Sequence, residues 1–146
     1  MPILVVEGND HVRDVISAIL EISGYEAVMA SSGMEALHTL RRRRDFVLAL
    51  VDVTEPTLDG WDLCRTVLAT PELAGVPLVM MTGAIPPTGA TPPGGLPASA
   101  LLKKPFGMHD LLETVRKRAV VRPTKKVRKS RAPAGAAIRS RRRVMG

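Results

Sequence analysis

Short apolar runs recur along this chain at intervals of about twenty to thirty residues, and between them the apolar residues fall at helical spacing. The runs are "ILVV" (3–6), "YEAVMA" (25–30), "FVLALVDV" (46–53), "PLVMMT" (77–82) and "ASALLK" (98–103). Their length and β-branched content suit buried strands. After the first run, Val12, Val15, Ile16, Ile19 and Leu20 mark one helix face, with Asn9 or Asp10 to cap it and Gly24 to end it. "SGME" (32–35) is a capping box opening a helix through Ala36, Leu37 and Leu40 that ends in Arg41 to Arg44. Asp59 can cap a helix carrying Trp61, Cys64, Val67 and Leu68, which stops near "TPEL" (70–73). "GMHDLLETVRKR" (107–118) repeats the pattern with Met108, Leu111, Leu112 and Val115. Strands alternating with helices mean β-α-β units, hence an α/β fold with a doubly wound parallel sheet of five strands.

One crossover breaks the rhythm. Between the fourth and fifth strands lies "GAIPPTGATPPGGLPAS" (83–99), with five prolines and four glycines. Proline removes helical donors and clashes with the preceding turn, so a loop is expected in place of the helix every other crossover offers.

Charge divides the chain further. All fourteen acids lie in 1–115 beside eight Lys/Arg, a net of −6, while the other thirteen Lys/Arg lie in 116–146 without one acid. The expected organisation is a globular domain over 1–119 and a basic tail over 120–146, too poor in large apolar residues to fold alone. A single cysteine, Cys64, leaves no internal disulfide and fits a reducing compartment. No run approaches the roughly 18 apolar residues that span a bilayer, and "MPILVVEGND" lacks the basic region and cleavage site of a secretion signal. A cytoplasmic location without membrane contact is the expectation.

"LALVDVTEP" (48–56) sets one carboxylate, Asp52, at the end of an aliphatic strand. An ionised Asp there is either hidden beside a partner or pushed out at the strand end, and the second is expected. In an open parallel sheet, ligands gather outside the carboxyl ends of the strands. Those ends carry Glu7, Asp52, Thr82 and Lys104. Two carboxylates can hold a hard divalent cation, while a hydroxyl and an ammonium offer donors to phosphate oxygens.

These residues resemble a response-regulator receiver domain, the phosphoacceptor module of two-component signalling. The matching features are "ILVVE" at the first strand, Asp52 with Pro56 and "DG" (59–60), Thr82, and "KPF" (104–106), over about residues 2–119. The resemblance implies a flavodoxin-like sheet ordered 2-1-3-4-5. It implies that Asp52 accepts phosphate from a histidine kinase or phosphotransfer protein, and that Thr82 donates a hydrogen bond to that phosphate while Lys104 ion-pairs with it. It implies a Mg²⁺ site formed by Glu7, Asp52 and the Thr54 backbone carbonyl, and a cis peptide before Pro105 that orients the lysine. Asp52 would then be a nucleophile toward phosphorus, with the metal neutralising charge on the oxygens. A labile acyl phosphate makes such a domain a self-limiting signalling module, with self-dephosphorylation as its only enzymatic activity.

Three departures set this chain apart. Receivers usually carry two adjacent acids after the first strand, and here Glu7 is followed by Gly8, so weak Mg²⁺ binding is expected. Leu101 stands where the family has a switch aromatic. The Pro/Gly-rich stretch replaces the helix that forms part of the usual signalling face.

Cys64 and Trp61 sit at core spacing. His11, His38 and His109 lack metal-ligand spacing and read as surface residues, and one of Lys103 and Lys104 is solvated. Arg41 to Arg44 read as a solvated helix end favoured by the macrodipole, with an anion-binding patch as the alternative. A flavodoxin-type phosphate loop is not matched by the acidic "EGND" (7–10), a haloacid-dehalogenase pair lacks its second Asp at Thr54, and no Walker loop exists. For the tail, nonspecific nucleic-acid contact through residues 120–146 stands against a solubilising extension. It has no aromatic residue for stacking. The competing function is a phosphorylation-independent pseudo-receiver scaffold whose basic tail contacts nucleic acid.

Overall fold

The computed structural model describes residues 1–53, 60–83 and 100–120. Nine elements follow in order: β1 (Pro2–Val6), α1 (Asp10–Ile22), β2 (Glu26–Ala30), α2 (Gly33–Arg42), β3 (Leu48–Asp52), α3 (Gly60–Ala69), β4 (Leu78–Thr82), β5 (Leu101–Lys103) and α4 (Met108–Arg118). The strands form one parallel sheet ordered β2-β1-β3-β4-β5. That is the predicted flavodoxin-like order. The crossover predicted as a loop at 83–99 lies, beyond Gly83, outside the described residues, as does the tail beyond Val120.

Alternation along the strands explains the two layers. Leu4, Val6, Ala49, Val51, Leu78 and Met80 face α2 and α3, meeting Ala36, Leu40, Cys64 and Val67. Their neighbours Ile3, Val5, Leu48, Leu50, Val79 and Met81 face α1 and α4, meeting Ile16, Leu20, Leu111 and Val115. Because β1, β3 and β4 are covered on both faces, every one of their residues is buried, so these strands read as unbroken apolar runs. Each fully buried Leu or Ile contributes about 1.5–3 kcal/mol relative to exposure. Cys64 is core, as its spacing predicts, and burial pushes its thiol up to about 12. Trp61 packs partly buried against the same cluster.

The caps are local. The Asn9 side chain accepts from the Val12 N–H at 3.0 Å, which makes Asn9 the cap of α1 and Asp10 its first residue. Gly24 then turns the chain into β2 at φ 94°, where an L side chain is strained. Ser32 and Glu35 form the predicted capping box: Ser32 Oγ accepts from the Glu35 N–H, and Glu35 reaches back to the Ser31 N–H at 2.7 Å. Arg43, one of the four arginines predicted to be solvated, instead joins Glu26 at the start of β2 to Asp45, and its guanidinium lies 5.4 Å from the Phe46 ring centre.

Candidate functional site

The sheet register brings four side chains to one edge. Asp52 and Thr82 are the last residues of β3 and β4, and Glu7 and Lys104 follow β1 and β5. Two main-chain bonds prolong the ladder beyond the strands: Glu7 N–H donates to the Ala30 carbonyl at 3.1 Å, and Lys104 N–H to the Thr82 carbonyl at 2.7 Å. The Lys104–Pro105 peptide is cis, as the resemblance implies.

Lys104 Nζ lies between the two acids, 2.8 Å from Glu7 Oε1 and 3.4 Å from Asp52 Oδ2. Both carboxylates are only 1% exposed, and the lysine side chain 22%. The expectation that Asp52 is pushed out at the edge is therefore corrected. It is hidden beside a partner, because β1 and β4 flank its strand on both sides and Lys104 closes over its end. Thr82 is buried beside them.

Burial governs the electrostatics. Desolvation pushes the Glu7 carboxyl above its ordinary value and Asp52 adds like-charge repulsion, against the hydrogen bonds from Lys104 and the Asn9 N–H. Burial alone lowers a lysine, yet the Glu7 hydrogen bond and the Asp52 charge outweigh it, so Lys104 is held above its ordinary value and stays an ammonium. Two carboxylates thus share one fixed positive charge.

Sequence reasoning missed two supports of this cluster. The turn after β1 is clamped from α1: Asn9 N–H donates to Glu7 Oε2 at 3.2 Å, and Arg13 Nη1 to the Glu7 carbonyl at 2.8 Å. Arg13 also pairs with Asp10. The second support is Gly60, where an added Cβ would stand 2.2 Å from the Asp52 carbonyl oxygen. The α3 N-terminus packs directly on the backbone of the acid, and the "DG" dipeptide was the only signal of it. Thr54, Pro56 and Asp59 lie outside the described residues.

Leu101 pairs with Met80 across the sheet and packs partly buried on the α3 side of the core. Lys103 is exposed, as are His11, His38 and His109. Among the described residues no three His, Cys, Asp or Glu side chains converge on one point, and no helix is long and apolar enough to cross a membrane. Beside Lys104 opens a groove of about 570 Å³, lined by Val12, Val15 and Ile19 of α1 and by Pro105 and Phe106.

A family model for the response regulator receiver domain matches residues 3–116. This chain belongs to the response-regulator receiver family. Among curated relatives, Response regulator MprA of Mycobacterium leprae is 35% identical over 127 residues, 86% of this chain and 53% of the relative. MprA of Mycobacterium tuberculosis is 35% identical over 125 residues, 84% of this chain and 51% of the relative. The receiver chain thus spans about half the length of these curated relatives. Among solved structures, the chemotaxis response regulator CheY4 of Vibrio cholerae superposes with a TM-score of 0.70 at 28% identity, covering 80% of this chain and 96% of that one. The receiver is a signalling domain of two-component systems, and its sheet order is that of the family.

Proposed function

We propose that this receiver accepts a phosphoryl group on Asp52 from a histidine kinase or phosphotransfer protein. The observation that carries this reading is the ammonium of Lys104 set between Glu7 and Asp52 at the strand ends. An Asp52 carboxylate oxygen attacks phosphorus, the new O–P bond forms as the P–N bond to the donor imidazole breaks, and the imidazole takes up a proton. Lys104 is already at ion-pair distance from the nucleophile and offers its remaining donors to the incoming phosphoryl oxygens. Thr82, one strand over, supplies a hydroxyl donor.

The donor set fits a hard divalent cation such as Mg²⁺. Glu7 and Asp52 carry two negative charges against one ammonium, and the residual charge is buried. Glu7, Asp52 and the Thr54 carbonyl would hold the ion, which when bound neutralises charge on the transferring phosphoryl oxygens. Gly8 supplies no further acid and Asp10 is engaged by Arg13, so the affinity is low. The apolar groove bordering Lys104 is the surface on which a helical phosphodonor would rest while presenting its imidazole to this edge.

The test is incubation with Mg²⁺ and a small-molecule phosphodonor, read by intact mass, with Asp52→Asn as control. One phosphoryl adduct is expected in the wild type and none in the variant. Absence of adduct at saturating Mg²⁺, or an adduct that survives in Asp52→Asn, would overturn the assignment and leave the pseudo-receiver scaffold.

A further inference from the structure

Arg13 is a cation on the core-facing side of α1. It shares that face with the buried Ile16, Ser17 and Leu20, which follow it at helical spacing. Its side chain is only 16% exposed. It also closes the first turn of α1, the end of a helix at which the macrodipole favours anions and opposes a positive charge. Core packing and helix formation would both be better served by an apolar residue here. A residue that breaks both local rules has its reason in what it reaches.

The guanidinium runs back toward the turn after β1. Its Nη2 pairs with Asp10, whose side chain is 85% exposed, so water screens that pair and it contributes little. Its Nη1 donates to the Glu7 carbonyl at 2.8 Å, and this bond is partly buried. Glu35 of α2 also feels the Arg13 charge, but its carboxylate is held by the Ser31 N–H and hydroxyl. With Arg13 in place, Glu7 is fixed at every polar atom. Its N–H donates to the Ala30 carbonyl, its Oε2 accepts from the Asn9 N–H, and its Oε1 meets Lys104. The next residue is Gly8, which lacks the Cβ that restricts rotation of a peptide unit. Arg13 supplies the restraint on the Glu7–Gly8 peptide that Gly8 does not.

We propose, on the reading of Glu7 and Asp52 as ligands of a divalent cation, that Arg13 is a positioning residue of that site. By holding the Glu7–Gly8 peptide it keeps the Glu7 carboxylate aimed at the gap beside Asp52. Electrostatics alone predicts the opposite sign for its removal. Deleting the guanidinium takes away a positive charge and leaves Asp10 unpaired, which strengthens cation binding. Loss of positioning weakens binding instead, by about 10–100-fold where a partner behind a metal ligand is removed.

Titration of the full chain with Mg²⁺, followed by NMR, tests the sign. Arg13→Met should weaken Mg²⁺ binding about tenfold or more, and R13M/D10N, which removes both charges of the pair, should bind as weakly. Asp10→Asn alone should leave the affinity within about twofold. Arg13→Lys keeps the charge but not the rigid fork that serves two acceptors, and should recover only part of the loss. A second measurement needs no metal. In metal-free Arg13→Met, exchange of the Asn9 amide with solvent should quicken, while that of the Glu7 amide, bonded to Ala30 in line with the sheet, should not; a general loss of structure would quicken both. Mg²⁺ binding by Arg13→Met as tight as the wild type or tighter, or an unchanged Asn9 amide, overturns the positioning role and leaves the cation site standing. A wild type that binds no Mg²⁺ overturns the cation site itself, and this role with it.

Discussion

The two ends of the sheet each hold a cation between two carboxylates, and the two triads behave in opposite ways. At the strand N-termini, Arg43 joins Glu26 and Asp45 with all three side chains more than a third exposed. Water screens the surplus negative charge there, and the guanidinium hydrogen bonds hold both acids below their ordinary values. At the strand C-termini, Lys104 joins Glu7 and Asp52 with both acids almost fully buried. Desolvation dominates there and pushes Glu7 up instead. The same stoichiometry thus makes a relaxed structural clasp at one end and a charge-frustrated cluster at the other. The proposed phosphoacceptor site lies at the frustrated end.

Removing the cation should separate the two most clearly. Lys104→Met strands two buried carboxylates and is expected to cost about 3 kcal/mol at neutral pH, a loss partly recovered on acidification as a carboxyl takes up a proton. Arg43→Met leaves solvated acids and a lost contact with Phe46, for about 1 kcal/mol. Urea unfolding of both variants measures the contrast, and equal losses would show that burial does not distinguish the triads. The backbone offers a second contrast. Gly60→Ala drives a Cβ into the Asp52 carbonyl and should cost about 2–3 kcal/mol. Gly24→Ala meets nothing within 4 Å and carries only the strain of its positive φ, about 1 kcal/mol.

The difference between the ends also explains what could be read from the chain. β1, β3 and β4 were legible because burial on both faces leaves no polar interruption, and the order of the sheet came with the resemblance. Glu7, Asp52, Thr82 and Lys104 were legible because each sits at a strand terminus, where a polar residue after an apolar run stands out. The burial of Asp52 was not, since it depends on Lys104, 52 positions further along the chain. Arg43 was hidden inside a run of four arginines. Only the return of β2 to the α2 terminus sets it apart from its neighbours, and that is a matter of tertiary packing. Gly60 gave a motif without its reason, because the close approach of α3 to the Asp52 carbonyl is visible only in three dimensions.

Charge can be added to the frustrated end as well as removed. Gly8→Asp places a second acid beside Glu7 on an exposed turn, and calorimetric Mg²⁺ affinity should rise about tenfold or more. An unchanged affinity would show that Glu7 and Asp52 alone set cation binding. The same substitution should lower stability slightly in the absence of Mg²⁺, because it enlarges the uncompensated charge.

The smallest effect carries the sharpest sign. Glu7 is raised in the folded chain, so its contribution is fully present below the unfolded value of about 4.3 and is lost as pH rises through the folded one. Glu26 and Asp45 are lowered, so theirs is present above the unfolded values and is lost as pH falls through the folded ones. Acidification from neutrality therefore meets Glu7 first, with a gain, and the Arg43 clasp afterwards, with a loss. In urea midpoints taken from pH 7 down to about pH 3, the wild type should gain on Glu7→Gln above the ordinary carboxylate range. Below it, the wild type should fall more steeply than Arg43→Met. If Glu7→Gln tracks the wild type throughout, Glu7 titrates as a solvated carboxylate, and the frustrated end is no more strained than the clasp.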